Sequence, residues 1–156
     1  MRFIGEFDHT LDEKNRIMLP SKFRDAIPKA ERKSLVLSHG FEKCLFLFPK
    51  GFFDASSSRL PPSPFTSLEA RELQRLFFAS SEECEMDKQG RILLSEKMRS
   101  YAAIDRDVVV IGVSDRIEIW DRARWGEFRQ QRASHYEQLA ARVFGGVGTP
   151  SIEGRA

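Results

Sequence analysis

Apolar residues in this sequence fall in short runs, each closed by polar or turn-forming residues, a pattern that predicts strands more than helices. Phe7–Leu11 and Glu83–Met86 read as short strands, followed by tight turns over Asp12–Arg16 and Asp87–Arg91. Gly90 suits a left-handed turn position, and Asn15 is the next best residue there. Ile17–Leu19 and Ile92–Leu94 form the return strands. Pro20 stops the first of these and Ser95 is a natural N-cap, so short helices are expected over Lys22–Ala26 and Lys97–Ala102. Two further strands follow each helix, Leu35–Leu37 with Cys44–Phe48 and Val108–Ile111 with Arg116–Trp120. Gly40 and the Ser114-Asp115 pair supply turn chemistry between them.

Helical spacing enters in two places. Thr66–Glu69 reads as a capping box opening a helix through about Phe78, with Ala70, Leu73, Leu76 and Phe77 as its apolar face. Arg122–Val143 reads as one longer amphipathic helix carrying Trp125, Phe128, Leu139 and Val143. Before the first of these helices, the Ser- and Pro-rich stretch 56–64 has the composition of a linker. Residues 145–156 read as a flexible tail, and Ile152–Arg155 as a protease-recognition scar left by cloning, outside any functional argument.

The chain repeats itself. Asp8–Arg24 aligns without gaps on Glu83–Arg99, with identities at Asp12/Asp87, Arg16/Arg91, Ile17/Ile92, Leu19/Leu94, Lys22/Lys97 and Arg24/Arg99. Val36–Gly40 matches Val108–Gly112, and Leu45–Phe53 matches Ile117–Trp125, more loosely. Each copy is a unit of about 50 residues, too small to bury a comfortable core alone, so the two are expected to pair. The division is a first unit over 1–53, a linker and connecting helix over 54–80, a second unit over 81–121 and a C-terminal helix over 122–144.

Composition narrows the class. With 41% hydrophobic and 31% charged residues the chain reads as globular, and no apolar run approaches the roughly 20 residues a membrane span needs. Asp8, Asp12 and Glu13 break any signal-peptide core, which points to the cytoplasm. Cys44 and Cys84 lack a second cysteine or a histidine at ligand spacing, so they read as reduced thiols, with neither disulfide nor metal. Formal net charge is only +2, so a nucleic-acid face must come from local clustering or from one patch repeated in an oligomer.

The duplicated element is Asp-x-x-x-Arg at a hairpin turn. It presents Lys14 and Arg16 in one half and Lys88 and Arg91 in the other. A fixed turn holds a guanidinium at a defined angle, and its planar fork can grip a phosphate or the O6/N7 edge of guanine. The adjacent lysines add charge for the DNA backbone. Asp12 and Asp87 can orient the arginines or bond backbone N–H groups of the turn. A purely structural salt bridge is the competing reading, and the two are compatible. Lys22, Arg24, Lys97 and Arg99, on the short helices, are duplicated too and read either as further DNA contacts or as solvated helix faces.

Enzyme readings lack a motif: phosphate-binding loops, nucleophile elbows and zinc-protease helices are all missing. His9, His39 and His135 sit in unrelated contexts that the repeat does not reproduce. The aromatic set Phe46, Phe48, Phe52, Phe53, Phe77, Phe78, Trp120 and Trp125 reads as core or subunit interface rather than a base-stacking platform. No cofactor and no small-molecule substrate are expected.

Phe3-x-Gly5-Glu6, Asp12–Arg16, Phe77–Glu85, Asp87–Arg91 and Val113–Trp120 together resemble the bacterial MraZ family, in register from about Met1 to Trp125. The resemblance implies two tandem AbrB/SpoVT-like swapped-hairpin units packed as one pseudo-twofold β-barrel, mainly β with short helices. It implies a ring-shaped homo-oligomer, commonly an octamer. It also implies a nucleoid-associated transcriptional regulator that binds direct repeats of double-stranded DNA in its own promoter, ahead of the division and cell-wall genes. The family's DNA-contact arginine carries over to Arg16 and, through the repeat, to Arg91. Two positions depart from the family pattern: Asn15, where glycine is usual, and Ser95, where proline is common. An antitoxin-like interaction module is the competing reading of the same fold. The duplicated unit and the C-terminal helix argue against it.

Overall fold

The strands alternate with short helices along the whole repeat. A computed structural model describes residues 2–58 and 67–146. The elements are β1 (Phe3–Thr10), β2 (Arg16–Met18), α1 (Ser21–Ala26), β3 (Leu35–His39), β4 (Leu45–Pro49), α2 (Lys50–Ser57), α3 (Leu68–Ser80), β5 (Glu82–Cys84), β6 (Arg91–Leu93), α4 (Glu96–Tyr101), β7 (Asp107–Ser114), β8 (Arg116–Asp121), α5 (Arg122–Arg132) and α6 (Tyr136–Gly146). The class is the expected one, mainly antiparallel sheet with short helices. Among the described residues, 2–122 form one compact unit and 123–146 form another.

Within the first unit the strands make a six-stranded sheet in the order β1-β7-β8-β4-β3-β5 and a separate two-stranded ladder of β2 with β6. Every pairing is antiparallel. The first strand of each repeat lies beside the third strand of the other, β1 on β7 and β5 on β3. If each strand is exchanged for its repeat counterpart, the order reads the same from either end. Neither repeat could close its own sheet, because its outer strand is supplied by the other copy.

The core lies under both sheets. Ile17 and Ile92 from the ladder, Phe23 and Met98 from α1 and α4, and Leu35, Leu37, Leu45, Leu47, Val108, Val110, Ile117 and Ile119 from the six-stranded sheet form one apolar cluster. These are the inward positions of strands with period two, each contributing about 1.5–3 kcal/mol by leaving water. Phe23 meets Phe3 and Phe7 edge-on, with ring centroids 5.7 and 5.2 Å apart. Glu118 is a buried charge, and it is fully engaged. Its carboxylate accepts from Arg116 Nε and from Trp120 Nε1, at 2.9 and 3.0 Å.

Several sequence expectations shift. β1 and β7 are longer than their apolar cores, because each is paired along eight residues. In the β3–β4 loop the left-handed positions are Glu42 and Lys43, not Gly40. Gly40 is required for space instead, since a Cβ there would meet the Phe46 ring at 2.6 Å. The N-cap of α3 is Ser67, whose hydroxyl accepts from Ala70 N–H, one residue beyond Thr66, which is outside the described residues. The covered stripe of α3 runs through Ala70, Gln74 and Phe77, and Leu73 and Leu76 face outward. The expected single helix over Arg122–Val143 is interrupted by a 3-10 turn at Ala133–His135, where the Arg-Ala-Ser-His stretch has no large apolar residue to anchor a continuing stripe. Part of the expected linker and most of the tail lie outside the described residues.

Titration follows from this packing. Burial lowers the pKa of His39, which is stacked on Tyr101 at 3.6 Å, and the charges of Lys43 and Lys97 lower it further against the opposing effect of Glu82. Burial also lowers the pKa of His9, with Asp8 opposing and Arg122 reinforcing. Both imidazoles bind fewer protons in the folded chain. Their contribution is therefore present above the unfolded value of 6.5 and lost as pH falls below it. The melting temperature is expected to drop between pH 7.5 and 5.5, and His9→Gln combined with His39→Gln should flatten that drop. A drop of the same size in the double variant would refute this assignment.

Candidate nucleic-acid interface

The two hairpin turns are built alike, and the aspartate does the building. Asp12 Oδ1 accepts from the N–H groups of Lys14 and Arg16, both at 2.9 Å, while Oδ2 accepts from Arg16 Nε at 2.8 Å. Asp87 Oδ1 accepts from the N–H groups of Gln89 and Arg91 at 3.0 and 2.8 Å, and its Oδ2 from Arg91 Nε at 2.8 Å. One carboxylate thus satisfies the turn's backbone and fixes the arginine plane. Asn15 and Gly90 occupy the left-handed positions, with φ of 60° and 86°. Asparagine therefore adopts the conformation that its repeat counterpart takes with glycine.

These bonds hold both carboxylates ionised. For Asp12 the Arg16 backbone N–H is the leading cause of a lowered pKa, helped by the guanidinium and by Lys14 N–H, with partial desolvation opposing. For Asp87 desolvation acts upward, and the backbone and side-chain bonds from Arg91 with the Gln89 N–H outweigh it.

Pinning uses the Nε edge of each guanidinium and leaves the Nη edge for other work. The Nη groups of Arg16 make no hydrogen bond among the described residues. Arg91 Nη2 donates to Gln89 Oε1 at 3.3 Å, and Nη1 lies 3.8 Å from Asp12 Oδ2. The carboxylate of one turn therefore sits between the guanidiniums of both.

The β2–β6 ladder explains the proximity. Its register is Arg16 opposite Leu93, Ile17 opposite Ile92 and Met18 opposite Arg91. Residues directly opposite in an antiparallel pair share a face, and neighbours along a strand alternate. Ile17 and Ile92 hence point into the core, while Arg16, Met18, Arg91 and Leu93 share the outer face. The ladder is closed at each end by a cross-copy bond: Leu19 N–H donates to Gly90 O, and Leu94 N–H to Asn15 O.

The remaining basic residues separate by role. Lys14 and Lys88 stand on the exposed turns. Lys22 and Lys97 lie on the first turns of α1 and α4. Arg24 is committed to structure: its Nη1 donates to Gln89 O at 3.3 Å, and it fills the space a Cβ on Gly90 would need. Arg99 likewise donates from Nε to Leu94 O at 3.1 Å. The segment between α1 and β3 carries no motif in the sequence. There Lys29, Arg32 and Lys33 join Arg24 and Lys88 in a cleft of about 370 Å³ beside the second turn. Their spacing in sequence carries no period, so only the fold assembles this cleft.

No other chemistry is assembled among the described residues. No cluster of three metal-ligating side chains occurs, and no helix is long and apolar enough to cross a membrane. Both cysteines are free. Burial pushes the Cys44 thiol upward and the Cys84 thiol to about 12, so neither is a ready thiolate.

The MraZ protein family model, described as antitoxin-like, matches the chain twice, over residues 2–76 and 77–145. The chain belongs to the MraZ family. The protein called "Transcriptional regulator MraZ" from Moorella thermoacetica is 41% identical over 141 residues, 90% of this chain and 96% of that protein. The protein of the same name from Desulfitobacterium hafniense (strain Y51) is 42% identical over 138 residues, 88% of this chain and 94% of its own length. The one from Heliobacterium modesticaldum is 40% identical over 141 residues, again 90% of this chain and 96% of that protein. The double match of the MraZ model falls on the two halves that carry the Asp12–Arg16 and Asp87–Arg91 turns.

Proposed function

We propose that this MraZ-family chain is a non-enzymatic transcriptional regulator that binds double-stranded DNA through the outer face of the β2–β6 ladder. The observation that carries this is the pair of Asp-pinned arginines on one exposed face, Arg16 with its Nη edge unbonded among the described residues and Arg91 with its Nη edge held only by Gln89 Oε1 at 3.3 Å and a 3.8 Å approach to Asp12. A two-stranded ribbon fits a major groove about 12 Å wide, and a held guanidinium matches the guanine O6/N7 edge. Arg16 and Arg91 read bases, with Asp12 and Asp87 orienting them. Lys14, Lys88, Lys22 and Lys97 contact phosphates, and Arg24 and Arg99 chiefly support the turns behind them.

The wider reading extends from there. The palindromic strand order supports two swapped-hairpin AbrB-like units, 1–53 and 81–121, related by a pseudo-twofold axis; the barrel itself rests on the family resemblance, since the six-stranded sheet is open at β1 and β5. Exposed Phe41, Leu73 and Leu76 line one open groove, an apolar surface suited to packing against the next protomer of a ring, with an octamer as the expected size. Such a ring presents several arginine faces to direct repeats in the protein's own promoter region, ahead of division and cell-wall genes. The protein then works in the cytoplasm, at the nucleoid. Avidity offsets the small net charge of +2 per chain.

Salt titration tests the electrostatic part. Each engaged phosphate contributes about −0.9 to the slope of log Kobs against log salt, so several contacts predict a slope of about −4 or steeper. A fluorescence-anisotropy titration on a duplex carrying direct repeats measures it. A slope near zero would refute a phosphate-binding face.

A further inference from the structure

Two large apolar side chains sit in the middle of the arginine face. Met18 is 36% exposed and Leu93 is 56% exposed, while their strand neighbours Ile17 and Ile92 are 0% and 1% exposed. An outward strand position normally carries a polar residue, yet both repeats carry an apolar one at the same place. The ladder sets each beside an arginine from the other copy, Leu93 opposite Arg16 and Met18 opposite Arg91. Opposite Cβ atoms in such a pair stand about 5 Å apart. Neighbouring base pairs rise about 3.4 Å along each strand. An arginine engaged with one base pair therefore brings its partner's apolar side chain over the next.

We propose that Met18 and Leu93 are specificity residues that pack against thymine C5-methyl groups beside the guanines held by Arg91 and Arg16. This rests on the DNA-binding reading above and adds what the face selects. Among major-groove edges only thymine carries a methyl, so an apolar contact there discriminates where a lysine could not. Each half of the ladder then reads a guanine next to an A·T pair with thymine placed toward the ribbon. The two arginines supply charge complementarity to DNA, and the apolar pair between them fits a desolvated base edge.

The test begins with a duplex enriched from a random pool by the wild-type chain. Thymines next to the protected guanines are replaced singly by uracil, which removes only the methyl. Affinities are then measured for wild type, Met18→Ala and Leu93→Ala, with circular dichroism and particle mass followed alongside. Wild type is expected to lose about three- to fivefold per critical methyl, the worth of one buried methyl group. In Leu93→Ala the loss at one thymine disappears while the loss at the other remains, and Met18→Ala gives the converse. Uracil costs that are absent in wild type, or unchanged in both variants, overturn the proposal and leave DNA binding intact. A changed particle mass with unchanged uracil costs also overturns it and assigns the pair to a protomer contact. If the wild type enriches no duplex at all, the DNA-binding reading itself has failed.

Discussion

Arg16→Ala and Arg91→Ala each lower affinity for a direct-repeat duplex by at least about 100-fold, while circular dichroism and particle mass stay those of the wild type. A bidentate arginine–guanine contact is worth about 1–3 kcal/mol, and loss of one contact in every engaged protomer multiplies through a multivalent complex. The larger loss is expected for Arg16, since the Nη groups of Arg91 already touch Gln89 and Asp12. Arg16→Lys separates charge from shape. It should retain salt-dependent binding to unrelated DNA and lose preference for the selected duplex, because an ammonium cannot reproduce the planar fork. If the alanine variants bind normally while particle mass falls, the Asp–Arg pairs serve the turn alone. The contact would then pass to Lys22 and Lys97, since Arg24 and Arg99 are spent on backbone carbonyls.

Phe23→Ala is expected to carry the largest stability cost of any single truncation in the first unit, about 3–5 kcal/mol. Phe23 is 1% exposed, and two aromatic rings meet it edge-on. Its removal leaves a cavity between α1 and β1 that neither short element can close by shifting, because β1 is held along eight residues by β7. Met98, its repeat counterpart, is equally buried but more pliable, so Met98→Ala should cost less. Glu72→Ala, at an exposed position on α3, is the control and should stay within about 0.5 kcal/mol. Urea unfolding at fixed chain concentration measures all three, since any self-association would make apparent stability concentration-dependent. A Phe23→Ala cost near that of Glu72→Ala would show that this core is not what holds the sheet.

Much of the local structure is legible in the sequence. The Asp-x-x-x-Arg turns, the left-handed positions at Asn15 and Gly90 and the short helices after each return strand all follow from interactions within a few residues. Their energetics are local: a carboxylate reaching its own turn's N–H groups, a hydroxyl capping its own helix. The duplicated arginine, and with it the candidate site, was visible for the same reason. Helix faces were read less well. On α3 the outward Leu73 and Leu76 resembled a core stripe, since apolar spacing alone does not tell a core face from an exposed one.

The repeated unit, its turn chemistry and the basic residues at each turn are written in local sequence. That β1 and β5 each complete the other copy's sheet emerges on folding, because strand pairing is bonding between distant backbones and leaves no mark on composition. Only the pairing of β2 with β6 put Arg16 and Arg91 on one face with Met18 and Leu93 between them. The period-two alternation of a strand fixes which residues share a side, but the register against a partner 75 positions away, Ile17 opposite Ile92, is set by the burial of those two side chains together.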